Sequence, residues 1–413
     1  MPTSQSPVPP LAVIVSDTAA PPTADLVLGD AEDGSRYNGA FVIATDGGVP
    51  CGAFTIATGE DGRIGSAELA ERVATAAAAS PPSARAAAVT DTPLISVVIC
   101  VTDGGRRAGR AIESLLACEY PATEIVVVNN RPENGPLALE AATAGDADVR
   151  IVDEPRAGLS AARNRGAAAA SGELLLFTDD DVVVMPGLLS AVAAAFAAHP
   201  EASCVTGLIL PLRLETNTQL QIERFAGFSK GFEPAVFTLD ENLDDRTFPY
   251  AAGQFGSGAN IAIRRTAFDQ LGGFDEALGS GTPARGGEDT DLFIRLMFKG
   301  HELVYEPAAT VLHEHPSRPE QLRSTVYNYG VGTTAPIAKE LFFGRRRGRL
   351  LRAMFGGLAI ALSPRSHKNR RKGKGFPMHH SLRELGGMAY GPWAYLRSRR
   401  AHRRALPGPR PRD

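Results

Sequence analysis

The stretches ISVVICV (Ile95–Val101) and ELLLFTDDD (Glu173–Asp181) decide the fold of this 413-residue chain. Each holds an apolar run, the pattern of a central strand buried on both faces rather than of a surface strand that alternates. EIVVV (Glu124–Val128) is a third run of this kind, and Val149–Val152 a short fourth. Helical patterns fill the gaps, over about Arg106–Cys118, Gly135–Ala144 and Leu159–Ala170. Strand and helix thus alternate, which predicts right-handed βαβ units and a parallel sheet covered on both faces. Ligands of such sheets bind at the carboxyl ends of the strands, so chemistry is expected just after each apolar run.

Outward from this centre the chain changes character. Residues 1–35, rich in Pro, Ala, Ser and Thr and lacking aromatics, are expected to be disordered. Tyr37–Thr45 and Cys51–Ala57 read as strands joined by the Asp46-Gly47-Gly48 turn, and Ser66–Ala78 as a helix with Ser66 as its N-cap. Residues 36–80 therefore form a small β-rich module, followed by a linker from Ser80-Pro81-Pro82 to about Pro93. The main domain spans 93–335. Val182–Ala198 carries no charge, but Pro186, Gly187 and Ser190 interrupt it, so it reads as a loop and a buried helix. After Pro200 the alternation fades. Arg213–Phe255 looks irregular and acceptor-facing, Asn260–Arg264 reads as a strand, Glu288–Lys299 as an amphipathic helix, and Leu303–Tyr305 as an edge strand before a Pro307 turn.

Composition narrows the class. Hydrophobic residues make up 44% and the formal net charge is −3. The charge is unevenly placed: residues 339–413 hold 20 Lys/Arg against 3 Asp/Glu, a basic tail suited to an anionic surface. Cys51, Cys100, Cys118 and Cys204 are far apart and form no CxxC pair, which predicts reduced thiols without a disulfide framework or zinc site. No secretory signal and no bilayer-spanning stretch is expected from the apolar pattern.

Four segments carry chemistry. Asp179-Asp180-Asp181 places three repelling carboxylates at the end of a buried strand, where a hard divalent cation with oxygen ligands is the natural neutraliser. In extended chain Asp179 and Asp181 face the same way. Such residues also suit a solvated turn capping the following helix. Gly286-Gly287-Glu288-Asp289 leads two carboxylates into a helix, a place for a base that takes a proton from an acceptor hydroxyl or, equally, for helix capping. Leu312-His313-Glu314-His315 offers two histidines that could share a face, so spacing does not choose the metal ligand between them. In Arg156–Gly166 the helix N-terminus and its arginines could meet phosphate, or lie on the surface.

Taken in order, these segments resemble family 2 glycosyltransferases of the GT-A fold. A first strand ends near Asp103 and a second at Asn129-Asn130. GLSAARNRG, FTDDDV, Phe255–Asn260 with Arg264-Arg265, LGGFD (Leu271–Asp275), GGEDTDLFIRL and VLHEH follow. The resemblance covers about residues 93–335. It implies an α/β, Rossmann-like, mostly parallel sheet that binds a nucleotide-sugar, a UDP-, GDP- or dTDP-sugar. It also implies an inverting transfer to an acceptor hydroxyl and a divalent metal cofactor, Mn2+ or Mg2+. By the same resemblance Asp179 and Asp181 bind metal with His313, and Asp179 and Asp180 meet the donor diphosphate. Asp103 and Asn129 lie near base and ribose, and Arg163 and Asn164 on a donor-proximal helix. Asp289 is the catalytic base, with Glu288 the second candidate. Asn129 departs from the family, which usually has aspartate there; an amide both donates and accepts hydrogen bonds, so the nucleobase it reads is left open. Thr102-Asp103-Gly104-Gly105 also stands where the family often has a more basic run.

Two other classes compete. A nucleotidyltransferase needs a Gly- and Arg/Lys-rich phosphate loop after the first strand, of which Gly104-Gly105-Arg106-Arg107 is a faint echo. A degenerate scaffold at a membrane would bind a nucleotide-sugar without turnover. In the basic helical tail, Arg345–Arg347, the apolar Leu350–Leu362 and the basic Arg365–Lys374 suit a peripheral position on an anionic membrane, at its cytoplasmic face, with a glycan or lipid-linked acceptor. Few aromatics interleave these cations, so nucleic acid is not an expected partner.

Overall fold

The computed structural model describes residues 7–80, 92–137, 139, 149–242, 245, 247–251, 253–362 and 378–405. The apolar runs form the sheet they imply. β6 (Ile95–Val101), β7 (Thr123–Asn129), β8 (Val149–Asp153) and β9 (Leu174–Thr178) lie parallel in the order β8-β7-β6-β9. Side chains of β6 and β9 are almost wholly buried, as the lack of alternation demands. The sheet continues through β13 (Asn260–Arg264), β11 (Ala202–Pro211) and β14 (Glu302–His313) to β10 (Val182–Val184), while β12 (Ala235–Phe237) also pairs with β14. β13, β10 and β12 run against the rest, so the central sheet is mostly parallel, with six of the nine strands among the described residues in one direction. Helices α2 (Ala108–Leu116) and α4 (Leu188–Ala198) cover one face. α3 (Leu159–Ala169), α6 (Arg265–Leu271) and α7 (Glu288–Phe298) cover the other.

Several expectations are corrected. Leu303–Tyr305 is no edge strand: it lies inside β14, with β11 on one side and β12 on the other. The expected Pro307 turn is a bulge, where pairing jumps from Gly207↔Glu306 to Leu208↔Thr310. Buried Asn260 satisfies this bulge by donating to the Ala309 carbonyl at 2.9 Å. α5 (Asn217–Ala226) and β12 lie within the Arg213–Phe255 segment that reads as irregular. Val182–Val184 is strand rather than loop.

The N-terminal 35 residues are not all disordered. β1 (Leu11–Asp17) pairs parallel with β3 (Gly39–Asp46), which pairs with β4 (Val49–Ala57), and β2 (Leu26–Val27) pairs with β5 (Arg63–Ile64). The Leu-Ala-Val-Ile-Val core of β1 has the β-branched content that favours a strand despite the prolines around it. α1 (Ser66–Ala79) covers one face of this sheet, and Ile43 on the other packs against Leu208, Leu210 and Tyr305 of the main domain. Ser66 is not the N-cap but the first helical residue, held through Asp25.

The C-terminal region is more than a tail. α8 (Pro319–Phe343), α9 (Arg347–Leu362) and α10 (Met378–Ala405) are helices, and α8 already includes Lys339. α8 and α10 approach through glycines: a Cβ on Gly330 would meet the Glu384 carbonyl at 2.1 Å, and one on Gly387 the Tyr327 carbonyl at 2.1 Å. Tyr395 of α10 also donates to Asp275. The helix expected over 135–144, most of the linker and the basic Arg365–Lys374 run lie largely or wholly outside the described residues. The four cysteines are free, and no helix among the described residues is long and apolar enough to cross a membrane.

Candidate active site

The site sits at the carboxyl ends of β6, β7, β9 and β14. β9 ends at Thr178, whose hydroxyl donates to the Ala259 carbonyl and fixes the strand end against the start of β13. The chain then turns through Asp179–Asp181 into β10, which pairs antiparallel with β14 so that Val182 faces His313. This register brings residues more than 130 positions apart into one cluster. His313 Nε2 lies 3.4 Å from Asp181 Oδ1 and 3.8 Å from Asp179 Oδ2. Asp179, Asp181 and His313 each offer a ligand atom within 4.8 Å of the others. Two carboxylates and an imidazole suit a small divalent ion. His315, the other candidate, turns away: its Nε2 meets Glu223 at 2.8 Å.

The electrostatics are those of crowded charge. Burial pushes the Asp180 carboxyl up to about 7, and the neighbouring Asp181 pushes the same way. Burial also raises Asp181. At Asp179 burial works upward too, but His313 and Arg163 outweigh it and hold this carboxyl below its ordinary value. Burial disfavours the charged His313 ring, yet Asp179 and Asp181 raise its pKa overall. Arg107, just before α2, reaches the cluster: it bonds Asp103 at 3.1 Å and Asp181 at 3.3 Å. The sequence shows Arg107 only as part of a glycine-arginine run.

The second half of the site is built on a buried cation. Arg163 on α3 is 1% exposed and donates to Asp179 Oδ1 at 3.0 Å, Glu288 Oε1 at 3.0 Å and the Gly258 carbonyl at 2.8 Å. Gly258 in turn donates its N–H to Asp289 Oδ2 at 3.0 Å. A Cβ on Gly258 would stand 2.8 Å from the guanidinium and would have to push it aside. Burial, and then Asp289, push Glu288 up to about 7. Asp289 is less enclosed than Glu288 and also accepts from the Thr290 N–H. Gly287 turns the chain into α7 at φ 84°, and a Cβ there would meet the Gly332 carbonyl of α8 at 2.4 Å. Tyr329 of α8 faces the centre: desolvation raises its pKa, with Asp179, Asp289 and Asp181 adding to it. The sequence carries no signal for Tyr329 or Gly258 beyond the segments that hold them.

Other expected residues hold loops. Asn164 grips Phe274 through both backbone groups, at 2.9 Å and 3.0 Å. Asn129 donates to the Gly135 carbonyl and accepts from the Arg131 N–H, each at 3.2 Å, which shapes the turn after β7. Asn130 donates to the Glu154 and Arg156 carbonyls. Asp103 ends the β6 loop by accepting from Gly105 and Arg107.

The chain is similar to known glycosyltransferases. The chain spans about half the length of the first curated relatives it matches. It is 28% identical over 278 residues to a pre-mycofactocin glycosyltransferase of Mycobacterium tuberculosis, covering 66% of this chain and 53% of that protein. It is 25% identical over 228 residues to a glucosyl-dolichyl phosphate glucuronosyltransferase of Haloferax volcanii, covering 53% and 69%. Among solved structures it is similar to the mannosyltransferase PcManGT from Pyrobaculum calidifontis in complex with GDP-Man and Mn2+, with 17% identity, a TM-score of 0.46, and 79% and 91% of the two chains covered. The model of the family described as "Glycosyltransferase like family 2" matches residues 92–326, more than half of the chain, and the chain belongs to that family.

Proposed function

We propose that this protein is an inverting, metal-dependent glycosyltransferase that moves a sugar from a nucleoside diphosphate to an acceptor hydroxyl. The observation that carries the reading is the Asp179–Asp181–His313 cluster set beside Asp289, at the strand ends where such a sheet binds ligands. The donor set fits Mn2+ or Mg2+, held by these three side chains. When bound, such an ion supplies positive charge against the departing diphosphate. Arg107 stands ready to meet the same anion, because its partners Asp103 and Asp181 hold it at the cluster.

Asp289 is the base. The Gly258 and Thr290 N–H groups orient its carboxylate. In one displacement the acceptor oxygen forms its bond to the anomeric carbon, the bond from that carbon to the diphosphate oxygen breaks, and the acceptor's proton passes to Asp289. A single displacement inverts the anomeric centre. Glu288 is a positioning residue in this scheme, since its carboxyl is buried against Arg163.

The acceptor in this reading is a glycan or a lipid-linked molecule, and the protein works at the cytoplasmic face of a membrane. The glucosyl-dolichyl phosphate in the name of the Haloferax relative supports a lipid-linked acceptor. Calorimetric titration with UDP, GDP and dTDP, each with and without Mn2+, tests the site. Tight binding of one nucleotide only with metal is expected; no binding under any condition overturns the reading.

A further inference from the structure

α10 carries an apolar stripe on its outer side. Met378 is 74% exposed, Leu382 62%, Leu385 56% and Trp393 54%. Their spacing of four, three and eight residues keeps them within one narrow sector of a helix. Single exposed apolar residues are ordinary, but four large ones aligned on one helix are not.

The charge around the stripe has one sign. Arg383, Arg397, Arg400, Arg403 and Arg404 are exposed, and the helix's one acidic residue, Glu384, is buried. Arg397 stands over the Trp393 ring, 5.5 Å from its centroid. The opposite side of α10 is committed to the enzyme. Gly387 and Gly391 seat it against α8, and Tyr395 bonds Asp275. The outer face is therefore held rigidly in place, and it combines an apolar stripe, an aromatic ring with a polar edge and flanking arginines. These are the parts of a helix that lies in a membrane interface, with its apolar face among the acyl chains and its cations at anionic headgroups.

We propose that the outer face of α10 docks the enzyme on an anionic lipid bilayer, with Leu382, Leu385 and Trp393 entering the interface. The charge complementarity selects this occupant over an apolar protein groove. α8 packs α10 on one side and the Gly286-Gly287 turn before Asp289 on the other. The docked helix is thus one helix away from the proposed base, which suits an acceptor that stays anchored in the same bilayer. The inference rests on the membrane part of the proposed function, and its failure would leave the nucleotide site untouched.

Trp393 is the chain's single tryptophan, so its fluorescence reports this face alone. The protein is mixed with vesicles of phosphatidylcholine alone or of phosphatidylcholine with phosphatidylglycerol, whose headgroup is anionic. Binding to the anionic vesicles only is expected, with a blue shift of Trp393, quenching by lipids brominated in the acyl chains, and release by salt. The Leu382→Glu/Leu385→Glu variant is expected to bind at least about tenfold more weakly while keeping metal-dependent nucleotide binding. An unshifted Trp393 on anionic vesicles overturns the proposal. So does a blue shift that appears without lipid as protein concentration rises, because a second copy then covers the stripe. Sedimentation with vesicles that is equal for the wild type and the double variant also overturns it.

Discussion

Arg163 and Glu288 form a buried ion pair, 3.0 Å between guanidinium and carboxylate, although 125 residues separate them. The pair does more than join two helices. The same guanidinium holds Asp179 and the Gly258 carbonyl, so the proposed metal cluster and the loop that orients Asp289 share one cation.

Replacing Arg163 therefore exposes a defined weakness. Arg163→Met keeps much of the volume but leaves Asp179 and Glu288 without their counter-charge. Breaking a buried pair from one side costs about 3–5 kcal/mol. Urea denaturation at pH 8, where Glu288 is ionised, is expected to show a loss of that order, and Arg163→Lys is expected to rescue stability better than turnover, because one ammonium lacks the planar fork that reaches three acceptors. Full stability in Arg163→Met would remove this cation from the centre of the argument.

Removing a proposed metal ligand and removing the proposed base should have different signatures. Asp181→Asn is expected to abolish metal-dependent nucleotide binding in calorimetry. Asp289→Asn is expected to spare that binding and to lower kcat by about 10²- to 10⁴-fold. His313→Ala should weaken metal-dependent binding, whereas His315→Ala should cost stability instead, since His315 is tied to Glu223 away from the cluster. Equal effects of the two histidine variants on metal affinity would contradict this division.

Much of this geometry was legible in the chain. Ile95–Val101 and Leu174–Thr178 announce themselves because buried parallel strands need no polar face, and Asp179–Asp181 stand out because carboxylates rarely follow such runs without a purpose. β1 escaped because prolines and small residues surround its short apolar core. α8 escaped because its buried face uses Gly330, Gly332, Ala335 and Ala338, too small to mark an amphipathic period. The choice between His313 and His315 depends on the register of β10 against β14, and the pairing of Arg163 with Glu288 on two distant helices. Neither can be read from local spacing.

Glu288 should make stability depend on pH in an unusual direction. Its carboxyl is raised from an ordinary 4.5 to about 7 in the folded protein, first by burial and then by Asp289. Between those values the native state holds a proton that the unfolded chain has released. The group's stabilising contribution is therefore complete below about pH 4.5 and is lost as pH rises through 7. Glu288→Gln cannot lose that proton. Melting temperatures of variant and wild type, compared at pH 5 and pH 8, are expected to move in the variant's favour at the higher pH. Parallel curves would mean that Arg163 keeps Glu288 ionised throughout.

Asn129 tests whether the departure from the family pattern is a defect or a compensated change. Its amide donates to the Gly135 carbonyl and its oxygen accepts from the Arg131 N–H, both within the turn that follows β7. A carboxylate can keep the second bond but not the first, and it would face the Gly135 oxygen at close range. Asn129→Asp is therefore expected to loosen this turn, at a cost of about 1–3 kcal/mol for the broken buried bond. It is also expected to weaken rather than strengthen nucleotide binding, because the turn lies at the strand end where the base should sit. Denaturation and nucleotide titration of the same preparation separate the two effects. Tighter nucleotide binding by Asn129→Asp at unchanged stability would show that the amide is a lost function, and would count against the view that the local hydrogen bonds of Asn129 hold a working site.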